Sequence, residues 1–370
     1  MRCLDSSPLF ENDIFAGNHA ENHGGGFFSE DGSPFIVACE FKDNTAGSGG
    51  GLDVSGQSSP RIIRCRVHSN SAAGQGGGIE AESSSNPIVA GCTINDNSAS
   101  AGGGICIAAA SAVLTDCSVQ YNTADFGGGI NLTSAIVVSI SRVDVTLDVA
   151  SFAGGGVYAS SSSCSLDGCT IAGNASLGDG GAFWLLESSG EIGRSSIQDN
   201  SAQSVAGGIF VRTSTLSVHN SDLTGNTYAI YVDGIPDLAV EASFNWWGDP
   251  SGPYHPNQNP NGLGDQVSDH VNFVPWNATS DVADPRPHTL PLTNSPNPFR
   301  NSTTIRFFLR EPANVNLQVY DIAGRSVVGL IGGGCQSGWH TILWGGKNEQ
   351  AVTVAAGVYL LSPDPRVTGG

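Results

Sequence analysis

Charge is scarce in this chain: Asp, Glu, Lys and Arg make up 13 % of its 370 residues, about half the usual fraction. Helix formers are thin, with one Met and only Lys42 and Lys347 as lysines, and no segment sustains a 3.6-residue apolar period. No apolar run reaches the roughly 18 residues of a spanning helix, so no membrane-spanning segment is expected. The opening "MRCLDSSPLFENDIF" lacks both a basic start and an apolar stretch, so no signal peptide is visible. Bases number 15 against 34 acids, a net charge of −19. That balance disfavours nucleic acid, which a binder must neutralise with Lys and Arg. Nine cysteines are an odd number and exclude complete pairing within the chain. The eight histidines are scattered, no G-x-S-x-G motif is present, and no acid pair announces a glycosidase.

Glycine, by contrast, is abundant: 50 residues, about twice the average share. Much of it returns in one phrase, "HGGGFF", "SGGGLD", "QGGGIE", "AGGGIC", "FGGGIN" and "AGGGVY", then in weaker form as "DGGAFW" and "AGGIFV". An Asn or Asp marker keeps the same beat at Asn18, Asn44, Asn70, Asn97, Asn122, Asp148, Asn174, Asn200 and Asn226, in steps of 25, 26 or 27 residues. Such a period signals a solenoid or array, and propeller blades are longer. Apolar columns run in register with it. One lies three residues before each marker (Phe41, Val67, Ile94), one follows each glycine phrase (Leu52, Ile79, Ile105), and another passes through Ile36, Ile62 and Val89. Within a repeat they alternate with polar residues at period two, a strand with one buried face. Three short strands per repeat predict one winding of a right-handed parallel β-helix, of about nine to ten windings in all.

The glycines are read as turn residues, because Gly reaches φ > 0 without steric cost. The Asn markers are read as residues suited to the left-handed region whose side chains also bond one another between windings. Cys39, Cys65, Cys92, Cys117 and Cys169 each stand five residues before a marker and are read as buried free thiols. No His column stands beside them, so no metal centre is expected there.

The phrase "CTINDNSASAGGGI" (Cys92 to Ile105) resembles the repeats of polymorphic outer-membrane proteins. It is similar also to the wider right-handed β-helix superfamily of pectate lyases and bacterial adhesins. The resemblance covers residues 5 to 276, and "NWWGDPSGPYHPNQNPNGLGDQVSDHVNFVPW" resembles a closing winding in which Trp246 and Trp247 cover the end of the core. Prolines 285, 287, 291, 296 and 298 mark a linker. Beyond it "SPNPF", "VYDIAGR" and "GVY" resemble the Ig-like C-terminal domain of type IX secretion substrates and of flagellar hook-assembly proteins. The division expected is residues 1–276 as β-helix, 277–292 as linker and 293–364 as a small antiparallel Ig-like sandwich short of its last strand. Because "SPLFENDIFAGN" already fits the repeat, the chain is expected to begin inside a winding, with a signal peptide lost upstream.

Two candidate sites stand on outward positions. Tyr158, Trp184, Phe210 and Tyr231 form an aromatic stripe on four successive rungs, suited to stacking sugar rings or to being covered by a loop. Asp116, Arg142 and Asp144 offer an acid-plus-arginine set of the kind a lyase uses, with Ca²⁺ bridging an acidic sugar, although Asp116 on Arg142 and Glu40 on Arg66 read more simply as cross-strand pairs. Asp265 and Asp269 offer a weak calcium loop. No three carboxylates converge in one column. The expectation is therefore a monomeric bacterial protein, extracellular or on the outer-membrane surface, that binds polysaccharide or another cell-surface glycan without catalysis and without a resident cofactor. A polysaccharide lyase or hydrolase, and a structural stalk, are the alternatives.

Overall fold

The computed structural model describes residues 1–234, 240–280, 293–295, 299–309, 313–321, 325–336, 338–350, 352–355, 357 and 359–366. Two compact units divide the chain, Met1–Pro285 and Arg286–Gly370.

The first unit is a parallel β-solenoid. One winding shows the plan: strand Leu52–Ser55, a corner, Arg61–Ile63, a second corner, Arg66–His68, a third corner, then the short strand Ser71–Ala72 and the next glycine turn. Equivalent strands stack into a first sheet of 12 strands, a second of 11 and a third of 9. Their register is the sequence repeat itself, as in Leu52, Ile79, Ile105 and Ile130 on adjacent rungs. Three strands per winding is therefore an undercount. A short fourth strand pairs in two places, Thr45–Ala46 with Ser71–Ala72, and again from Thr123–Phe126 to Ser201–Ala202. These segments between the marker and the glycine turn extend because the same segment of the neighbouring winding offers them partners.

The apolar columns all point inward. Leu52, Ile79, Ile105, Val67, Ile94, Ile62 and Val89 are fully buried, each worth about 2 kcal/mol of transfer free energy. A solenoid must also satisfy the polar backbone of its corners, and here each corner carries a ladder. At the third corner, the backbone N–H and side-chain amide of Asn44 both donate to Oδ1 of Asn70, at 3.0 and 2.9 Å. Asn70 does the same to Asn97, and Asn97 to Asn122. Each amide also donates back to a carbonyl of the preceding winding, Asn70 to Phe41 at 3.0 Å. At the second corner the N–H of Cys65 donates to Sγ of Cys92, and that of Cys92 to Sγ of Cys117. Serines continue this ladder through Cys169 to Ser195 and Ser221. At the first corner Ser162 and Ser188 serve the same purpose. The five cysteines are buried free thiols, and several act as hydrogen-bond acceptors besides packing.

The left-handed residue at the third corner is not the marker, as expected, but the one before it: Asp43, Ser69, Asp96, Tyr121 and Leu147 have φ near +55° to +59°. The marker's side chain must reach along the stack, and its predecessor turns the chain. In a glycine triplet the three members differ in purpose. Gly49 has φ +61°, whereas a Cβ on Gly50 or Gly51 would lie 2.5 Å from a carbonyl oxygen of the next rung.

At the far end Trp247 is fully buried and belongs to the core, as expected of a capping residue, while Trp246 is half-buried. The second unit holds two three-stranded antiparallel sheets. Thr303–Leu309 lies between Thr293–Ser295 and Gly338–Trp344, and Ala313–Asp321 between Ser326–Cys335 and Tyr359–Arg366. Val315, Leu317 and Val319 alternate into its core with Ile305 and Trp344. The linker prolines lie outside the described residues.

Candidate functional site on the outward faces

Along the first sheet, Phe28, Asp53, Glu80, Cys106, Asn131, Tyr158, Trp184, Phe210 and Tyr231 form one outward column, rung upon rung. It points away from the core yet is largely shielded from water. Asp53, Glu80, Cys106, Asn131 and Phe210 are all buried. The cover is the glycine turn, which folds back over the strand it leads into. A Cβ on Gly49 would come within 2.5 Å of the Asp53 Cβ, and one on Gly76 within 2.7 Å of the Glu80 Cβ. The residue before each triplet reaches one winding further on. His23 meets Asp53, Gln75 meets Cys106 and Phe126 meets Tyr158. That position was the unread signal in the sequence.

The aromatic stripe is a continuous stack. Tyr158 lies on Trp184 at 4.7 Å and 4°, Trp184 on Phe210 at 5.8 Å and 1°, and Phe210 on Tyr231 at 5.8 Å and 17°. Inner rings thus spend their faces on one another, and Phe126, itself stacked on Phe152, flanks the stack at Tyr158. Trp184 and Phe210, stacked on both sides, have no free face on which a sugar could lie.

At the opposite end of the column sits an acid and imidazole cluster. Asp53 and Glu80 are 0 % and 1 % exposed. Glu82 and Glu30 stand two residues along their strands, on the same outward face. His23 Nδ1 is 2.9 Å from Asp53 Oδ2 and 3.7 Å from Glu82 Oε1. Burial pushes the Asp53 carboxyl up to about 7, against the His23 hydrogen bond, which lowers it. Burial, reinforced by the charges of Asp53 and Glu82, lifts Glu80 to about 9. Asp53 Oδ1 and Glu80 Oε2 are buried without a hydrogen-bond partner. His23 and Glu82 line a groove of about 720 Å³ with Arg2, Phe28, Glu30 and Ser55. Acids therefore do converge here, although no three of them share one column. Two adjacent columns and a turn residue 30 positions upstream combine to bring them together.

The remaining candidates fall elsewhere. Asp116 and Arg142 sit at the second corner, both at φ +53°, joined by two hydrogen bonds of 2.7 and 2.9 Å. The Arg142 guanidinium holds the Asp116 carboxyl below its ordinary range. Asp144 lies on the third sheet, paired in register with Ser118 and Thr170. Asp265 closes the Asn ladder, accepting the Asn226 N–H at 2.6 Å, and Asp269 lies 3.2 Å from His255 Nε2. The two acids of the expected calcium loop thus face different partners.

The third sheet presents a different outward face, two side chains wide and polar on each of the following rungs except at Ala172. Successive rungs carry Thr93 and Asn95, Ser118 and Gln120, Asp144 and Thr146, Thr170 and Ala172, Ser196 and Gln198, Asp222 and Thr224. All but Asp222 are half-buried. Hydroxyls, amides and carboxylates thus recur at the rung spacing of about 4.8 Å on a rigid parallel sheet.

No curated protein matches the chain in sequence. Residues 3–145 match the family model described as right handed beta helix region, and the strand registers of that stretch continue unchanged through Leu223. Repeat, parallel register and family match converge on one architecture: the solenoid is a right-handed parallel β-helix.

Proposed function

We propose that the β-helix is a non-catalytic binding module for a polysaccharide or other cell-surface glycan, displayed outside a bacterial cell or on its outer membrane. The observation that carries this reading is the two-wide polar ladder of the third sheet. Its donors and acceptors repeat at one spacing along the solenoid, as a repeating chain of hydroxyl-rich units requires. Held by strand pairing on both sides, these groups lose little freedom on binding, which lowers the cost of association. Asp53 and Glu80 of the first sheet lie beneath the glycine turns and Asp116 is spent on Arg142, so none of these three is placed to act as acid or base on a glycosidic bond. In the aromatic stack Trp184 and Phe210 have both faces occupied by neighbouring rings. The motifs "SPNPF", "VYDIAGR" and "GVY" support reading the second unit as an Ig-like domain of the type IX sorting kind, and its two antiparallel sheets suit that reading.

The test is affinity electrophoresis through gels containing a panel of polysaccharides. Retardation by one glycan, lost in the double variant Gln120→Ala/Gln198→Ala and kept in Trp184→Ala, is the expected result. Loss in Trp184→Ala alone would move the site to the aromatic stack. Release of new reducing ends would make the protein a lyase or hydrolase. Free migration through every gel would leave it a structural stalk.

A further inference from the structure

We propose that His23, Asp53 and Glu82 bind one divalent first-row transition cation, with the Glu80 carboxylate directly behind them. This site lies on the first sheet and does not depend on the glycan-binding reading of the third.

The geometry argues first. One donor atom from each of the three residues lies within 4.8 Å of the other two, and His23 Nδ1 is 2.9 and 3.7 Å from its two carboxylate partners. Ligands about 2.0–2.2 Å from a common ion are separated by such distances. Asp53 and Glu82 sit on adjacent rungs of the first sheet, whose register fixes them. His23 is held above by its turn, where it pairs with Ser48 of the next winding.

Charge argues second. Asp53, Glu80, Glu82 and Glu30 crowd one end of the column. Arg2, which lines the same groove, is 3.6 Å from Glu30 and lies over the Phe28 ring. Among the described residues no Lys or Arg forms an ion pair with Asp53, Glu80 or Glu82. A buried carboxylate without a partner is costly and calls for a proton or a cation. Two of its atoms are orphaned, Asp53 Oδ1 and Glu80 Oε2, in side chains 0 % and 1 % exposed. A structural carboxylate cluster satisfied by protons alone would have no need of an imidazole at its mouth. The groove lined by His23 and Glu82 gives an ion and its waters a path in.

The donor set selects the class of ion. Imidazole nitrogen suits zinc, iron, nickel or copper, and carboxylates extend the choice to manganese, whereas calcium and magnesium favour all-oxygen sites. Three protein ligands leave the remaining positions to water, as in open zinc sites.

The experiment is calorimetric titration of the untagged, chelator-treated full chain with Zn²⁺, and with Ca²⁺ as the contrast. One Zn²⁺ per chain is expected. His23→Ala and Glu82→Gln, both on partly exposed side chains, should each weaken Zn²⁺ by about ten-fold or more while circular dichroism stays unchanged. Asp53→Asn should do the same, because Asn131 already occupies the equivalent place two rungs beyond Glu80. The proposal is overturned by a folded wild type that takes up no Zn²⁺, by binding that the variants leave intact, or by tighter binding of Ca²⁺ than of Zn²⁺. The pairs His68–Glu40 and His255–Asp269 are the competing sites that the variants rule out.

Discussion

Asp148 is the one acid within the run of buried asparagines at the third corner, and it has to behave as they do. Its Oδ1 accepts both the N–H and the amide of Asn122, at 2.7 and 2.9 Å. Its Oδ2 occupies the place where the other members carry an amide that donates to a carbonyl of the preceding winding, and it has no partner. A proton on Oδ2 restores that donor, and burial pushes the carboxyl up to about 8. The unfolded chain releases this proton near pH 4, so between roughly pH 4 and 8 the folded state holds a proton the unfolded state has lost. Stability therefore falls as pH rises through that window, by roughly 1.4 kcal/mol per unit, and levels off above it. Asp148→Asn should remove this contribution and exceed the wild type by a margin that widens from pH 5 to pH 8. Denaturant midpoints across that range check it, and parallel curves for the two proteins would mean the carboxylate is ionised in the fold. The marker pattern made this residue visible as an exception, but its protonation is decided by burial that only the stacked windings supply.

At the scale of the element, a corner is stable only if its ladder and its turn agree. Asn97 links both neighbours through its Oδ1 and its amide. Asn97→Leu should leave the Asn70 N–H and side-chain amide donors buried without the acceptor they share, at about 1–3 kcal/mol for each stranded group. A loss of several kcal/mol in urea unfolding is expected, and a loss below 1 kcal/mol would show that water replaces the side chain. The glycine turn is constrained differently. Gly50→Ala places a methyl 2.5 Å from the Gly77 carbonyl, and backbone cannot withdraw without parting two rungs. It should destabilise by more than the entropy gained from removing a glycine, which is about 0.4–1 kcal/mol, so a lower melting temperature is expected. An unchanged or raised one would show that the rungs can separate. The same turns that permit close stacking also lie over Asp53 and Glu80, which is why these two outward positions of the first sheet are buried while most of those on the third are half-exposed.

Across the whole solenoid, windings contact their neighbours and the core runs unbroken along the axis, as in other repeat proteins. Seven of the nine thiols are buried within it, Cys106 is buried on the outward face of the first sheet, and Cys335 of the second unit is half-buried. Under native conditions a maleimide should label about one thiol per chain, at Cys335, and nine after denaturation. Rapid labelling of Cys39, Cys65 or Cys92 would refute the corner register. What the sequence by itself determined is the periodic part: the winding, the parallel register, the three inward columns and the ladder residues. Each of these recurs at one spacing, so a single alignment of the chain on itself places Val67 above Phe41 and Asn70 above Asn44. What only the tertiary structure decided is which outward residues meet water and which meet one another. The cover over Asp53 comes from a turn in the preceding winding, and Glu82 reaches the cluster from the neighbouring column. Strand alternation assigns a side chain to a face, but it carries no information about the path of the turn that crosses that face. His23, 30 residues upstream of Asp53, becomes its neighbour because a glycine with φ +61° folds the chain back at that point.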